Sequence, residues 1–91
     1  MDINYFIPNA IHEVVKYANA HLDVTDGFEV TERDVYVVWF SKTLQNAKAL
    51  ISTNLPDGMY YEVTYNGNKD EMYFDAYKKF ENIRIDVSEE V

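Results

Sequence analysis

The side chains that carry chemistry are few in this chain of 91 residues. Two histidines, His12 and His21, stand nine positions apart, which on a helix turns them about 180° from each other. They cannot chelate one metal ion together, so both are expected as ordinary solvated histidines. Asp23, Asp26 and Glu29 offer oxygen ligands of the calcium type, but the alternating acidic positions and sixth-position glycine of an EF-hand loop are absent. The three glycines, Gly27, Gly58 and Gly67, fall in separate turns and build no phosphate-cradling loop. Ser41, Ser52 and Ser88 have no histidine and aspartate near them in sequence, and only two histidines exist to complete a triad. With no cysteine there is no thiolate nucleophile, no disulfide framework and no thiolate-bound zinc. Paired carboxylates of the glycosidase kind need a cleft, and a chain of this length has little wall to spare for one. The residues therefore point to a non-enzymatic protein with no cofactor and no metal.

Charge narrows the partners. Sixteen acidic residues against eight basic ones give a net charge of −8, which repels phosphate backbones and anionic membrane surfaces. Aromatics lie among Lys42, Lys48, Lys78, Lys79 and Arg84, as on sheets that stack single-stranded bases. The βαββαβ order of an RNA recognition motif is missing, however, and no direct nucleic-acid contact is expected. The densest charge is Asp23, Asp26, Glu29, Glu32 and Asp34, opposed by Arg33 alone. This candidate acidic surface has two readings: it keeps the protein in solution, or it imitates a phosphate backbone before a basic partner. No run approaches the roughly 20 apolar residues of a membrane span, and MDINYFIPNA lacks the basic start of a signal peptide. A cytoplasmic location without membrane contact is the expectation.

The elements that must carry these residues follow from periodicity. Ile7, Ile11, Val14, Val15, Ala18 and Leu22 recur at steps of three and four, which predicts an amphipathic helix over residues 6–22. Pro8 lies in its first turn, Asp2 or Asn4 is available as a cap, and His12, Glu13, Lys16 and Asn19 form its wet side. Residues 23–34 lose that period and read as the acidic loop, pinned by Phe28 and Val30. Strands are predicted over 35–42, 46–53, 59–66 and 70–79, with a possible edge strand at 83–87 where Ile83, Ile85 and Val87 alternate with polar residues. Asn66-Gly67 signals a hairpin, with Tyr65 opposite Asn68 or Asp70 according to loop length. The fold class is α+β, a single domain in which one helix packs on a four- to five-stranded antiparallel meander.

DVYVVWF, residues 34–40, is apolar on both parities, while one helix covers only one face of a sheet. If Val35, Val37 and Trp39 face the helix, the other face carries Tyr36, Val38 and Phe40. Tyr60, Tyr73 and Tyr77 join them from the second hairpin; which parity of the first strand lies there is left open. Tyr36, Val38, Phe40, Tyr60, Tyr73 and Tyr77 are the candidate interface, unless residues near Phe28 or the C-terminal segment fold over them.

The stretches VVKYANAHLDVTDG and DVYVVWFSKTLQNAKALISTNLPDGMYYEVTYNGNKDEMYFDAYKKFENI resemble a family of small uncharacterised proteins encoded by phages and prophages of Gram-positive bacteria. VYVVW, KTLQN, KAL, LPDGMYYEVTYNG and YKK carry the likeness. It implies a setting, the cytoplasm of an infected bacterium, and no catalytic residue. The expectation is an accessory protein that is a homodimer through the aromatic sheet face and binds or inhibits a host defence or nucleic-acid-handling protein, with the acidic segment from Asp23 to Asp34 as the mimic surface. The alternative is a self-assembling or virion-associated protein with no host target.

Overall fold

The computed structural model describes residues 1–23, 25 and 27–88. Asp2 opens the chain's first turn, its carboxylate accepting from the Asn4 amide at 2.9 Å, and a 3-10 turn Ile3–Tyr5 leads into helix α1, Phe6–Ala20. Pro8 is tolerated because a first-turn amide lacks a helical acceptor in any case. The buried line of the helix is Phe6, Ala10, Val14 and Ala18, every fourth residue, with Ile7, Ile11 and Val15 half-buried beside it. The predicted stripe is thus rotated, because the alanines let the helix settle close against Ala47 and Ala49 of the strand it mainly crosses. The helix ends two residues short of Leu22. His21 leaves helical geometry there, and its ring Nδ1–H donates to the Tyr17 carbonyl at 2.8 Å.

Four strands follow as an antiparallel meander in sequence order: β1 Val35–Thr43, β2 Asn46–Thr53, β3 Met59–Asn66 and β4 Glu71–Lys78. The face under α1 is built by Ala47, Ala49 and Ile51 from β2 and Tyr61, Val63 and Tyr65 from β3, all buried. Val35, Val37, Met72 and Phe74 pack around them. The α+β arrangement of one helix on a four-stranded sheet is as the periodicity predicts.

Two details of register differ from the sequence expectation. In β1, Val37 lies opposite Ile51 but Trp39 lies opposite Leu50, so Val38 is an extra residue in a β-bulge. The extra residue reverses the alternation beyond it, so Phe40 turns to the helix side, where its ring stacks on Phe6 at 6.0 Å, and Trp39 takes the opposite face. In the second hairpin Tyr65 pairs with Met72, and Asn66 with Glu71, across a four-residue connection. The connection has the length of the longer of the two predicted loops but lies one residue further along, which moves the partner of Tyr65 by two positions from Asp70, and facing is preserved because that shift is even. Gly67 has no positive φ; the left-handed residue of this turn is Asp70 at φ 50. Glycine is required at 67 for space, since a Cβ would sit 2.2 Å from the Gln45 carbonyl oxygen of the neighbouring hairpin tip.

The acidic loop is tied down by Val30, which is buried, while Phe28 stays exposed. Asn19, expected on the wet side, clamps it: its amide donates to the Val30 carbonyl at 2.9 Å and accepts from the Val30 amide at 2.8 Å. Residues 83–87 form no strand. After Lys79, whose amide donates to the Gly58 carbonyl at 2.8 Å, the chain runs on through exposed residues, so the sheet has four strands and not five.

Candidate protein-interaction face

The register places the side chains of the uncovered sheet face in rows across the four strands. One end row is Tyr36, Ser52, Tyr60 and Tyr77; the next is Trp39, Leu50, Glu62 and Asp75; the third is Ser41, Lys48, Thr64 and Tyr73. The face is therefore aromatic at the end where β1 begins and polar toward the hairpin tips. Nothing among the described residues lies over it. Tyr36, Val38, Trp39, Tyr73 and Tyr77 are each between 41% and 52% exposed, and Tyr60 is half-buried. Neither the Phe28 region nor the chain after Lys79 covers them.

Polar contacts fix the tyrosines without satisfying the face. Tyr73 donates its hydroxyl to the Glu71 carboxylate, a contact that holds the phenol's pKa above its ordinary value. The Lys79 ammonium lies 6.0 Å from the centre of the Tyr60 ring, a cation–π arrangement. Lys48 and Glu62 pair at 3.5 Å in the middle of the face. A shallow depression of about 370 Å³ opens at the aromatic end between Tyr36, Leu55, Tyr60 and Lys79. Flat, aromatic at one end and crossed by one charge pair near its middle, this surface suits contact with another protein, because tyrosine adds area at low entropic cost while its hydroxyl stays wet.

Of the six residues expected at the interface, Tyr36, Val38, Tyr60, Tyr73 and Tyr77 meet on this side of the sheet and Phe40 does not. Trp39 replaces it, together with Leu50. Leu50 had a signal in the sequence, since it breaks the polar parity of its strand; Trp39 had none.

The acidic residues divide. Glu29 and Glu32 are exposed. Asp34 has a structural task, its carboxylate accepting from the Thr31 amide at 2.9 Å to cap the 3-10 turn Glu32–Asp34. Asp23 accepts from the Thr25 amide at 3.0 Å, which keeps its pKa below the ordinary value. Asp26 lies outside the described residues. His12 is exposed, and His21 stacks on Tyr17 at 4.0 Å between ring centres. Among the described residues no three acidic or histidine side chains gather as metal ligands, and no helix is long and apolar enough to cross a membrane.

No curated protein and no solved structure matches the chain. A family match spans residues 7–87, taking in nearly all of the helix, the four strands and the exposed segment after β4. The chain belongs to the family of unknown function DUF6275.

Proposed function

We propose that this protein is a non-enzymatic interaction module, an accessory protein of a phage or prophage of Gram-positive bacteria, which binds a host protein in the host cytoplasm through its uncovered aromatic face. One observation carries the reading: five large apolar or aromatic side chains of that face are nearly half exposed, with no third layer over them. The phage setting comes from the sequence resemblance. The net charge of −8 favours a partner with a basic surface, a nucleic-acid-handling or defence protein among them, and Glu29 and Glu32 are the acids best exposed to meet it.

The test uses Tyr73→Ser with Tyr77→Ser, which strip the face along β4 without touching the buried core. Tagged wild-type and variant proteins are passed over host lysate at low and high salt, and retained proteins are identified by mass spectrometry. One host protein, held by the wild type and lost by a variant of unchanged melting temperature, supports the reading. Equal retention by both proteins removes the face from it. Glu29→Lys with Glu32→Lys is the matching test of the acidic contribution, and Asp34 is left in place because its loss would unfasten the loop. Binding that survives this charge reversal at low salt rejects mimicry by these residues.

A further inference from the structure

Residues 80–87 are a strand without a sheet. Phe80, Ile83, Ile85 and Val87 are between 67% and 94% exposed, and no turn, helix or strand is formed there. Arg84 pairs with Asp86 at 3.0 Å, a contact that an extended chain allows because residues two apart then point to one side. The opposite side is then Ile83, Ile85 and Val87. This alternation is the pattern of a half-buried strand, and the family match reaches residue 87, which makes the arm part of the family's shared domain.

The arm cannot dock on its own sheet. Lys79 is held to Gly58, and four residue steps from there to Ile83 span at most about 14 Å. The position outside the molecule's own β1 is four strand spacings from β4, about 19 Å. Folding back on β4 needs a reversal at 80–82, where there is no glycine or proline and no positive φ. A second copy offers the same edges without these limits.

We propose that residues 83–87 of one molecule pair as a fifth strand along residues 39–43 of β1 in a second copy, and reciprocally, giving an arm-exchanged dimer. Three observations select β1. Beyond the bulge at Val38 it has five regular residues, the length of the arm, whereas the bulge itself interrupts pairing before them. It exposes Trp39 on one face and Phe40 on the other, so an added strand finds apolar neighbours on either side. Its one charged residue is Lys42, while β4 carries Glu71 and Asp75 against Lys78; residues 80–90 hold four acids against Arg84, so charge favours β1. The area agrees with association. The molecule exposes 6872 Å², against about 5,500 Å² for a compact monomer of 10.7 kDa, and the surplus of roughly 1,400 Å² exceeds the ~800 Å² each partner gives to a standard interface.

This dimer does not depend on the proposed function, since it uses a sheet edge and leaves the Tyr60, Tyr73 and Tyr77 side chains free. The full chain is sized by light scattering beside two variants, a chain shortened to end at Lys79 and Ile83→Asp with Ile85→Asp. The expected result is a dimer for the full chain and half that mass for both variants, each still melting cooperatively. In the dimer, hydrogen exchange should find amides within 82–87 protected, with protection lost on dilution. Because the chain has no cysteine, Ser41→Cys and Asp86→Cys can be introduced singly and the two proteins mixed. A bifunctional thiol cross-linker should join them, whereas Asp75→Cys on β4 should not be joined to Asp86→Cys. A monomeric full chain, a dimer that survives loss of the arm, or cross-linking to β4 instead of β1 each overturns the proposal. The dimer should also survive Tyr73→Ser with Tyr77→Ser, so failure of the face and failure of the arm are read separately.

Discussion

At the scale of single residues the buried tyrosines of the helix side contribute most that is testable. Tyr61 is fully buried, its ring meeting Tyr17 at 5.5 Å and Phe74 at 5.6 Å. Burial, reinforced by the charge of Asp57 and then by Tyr17, pushes its phenol from 10.0 up to about 12. Between those values the unfolded chain has released the proton and the folded chain keeps it, so the contribution is complete below pH 10 and lost as pH rises toward 12. Tyr61→Phe should flatten the fall in urea midpoint across that window. A residual slope of the same sign is expected from Tyr65 and Tyr73, whose phenols are raised by hydrogen bonds to Asp70 and Glu71. An unchanged slope in Tyr61→Phe would show that the hydroxyl is not held away from water. Asp70 works at the other end of the scale: hydrogen bonds from the Met1 amino group and Tyr65 lower its pKa, so its contribution disappears as acid protonates it.

At the scale of elements the hairpin tips are the informative place. The β1–β2 tip and the β3–β4 tip are joined by the Gly67 amide donating to the Asn46 side chain at 3.0 Å and by the side chains of Gln45 and Asn68. Because a Cβ at 67 would strike the Gln45 backbone, Gly67→Ala should cost about 1–3 kcal/mol by overpacking. Gly27→Ala meets no neighbour within 4 Å and should cost only the left-handed backbone, about 1 kcal/mol. Melting temperatures of the two variants decide the order. These elements also separate what periodicity reveals from what it conceals. The helix, β2, β3 and β4 were legible because each has a polar side that marks its facing, and β1 was legible from its run of β-branched and aromatic residues. The bulge was not, because VYVVWF is apolar at every position and no polar residue records where the alternation reverses. Asn66-Gly67 marked the right hairpin for the wrong reason, since a glycine kept small for a neighbour looks the same as one kept for φ. Ile83, Ile85 and Val87 had the alternation of a strand, but local pattern carries no information on whether an edge is within reach.

The whole molecule is a slab, 48 × 43 × 19 Å, whose thinnest dimension is that of one helix layer on one sheet. Its radius of gyration of 15.8 Å exceeds the about 12 Å of a compact chain this long, consistent with an arm that leaves the body. With one sheet face already wet, unfolding exposes less new apolar surface than the residue count suggests. For the chain shortened to end at Lys79, the heat-capacity change of unfolding should fall below the about 1 kcal/mol/K usual for that length. A calorimetric value at or above it would mean that the face is covered in solution. The bulge at Val38 has one more outcome: it sets the chain's single tryptophan on the surface where a partner is proposed to land. The protein thus contains its own optical reporter. Indole emission should move to shorter wavelength and resist iodide quenching as a partner seats, at fixed protein concentration and with no label added.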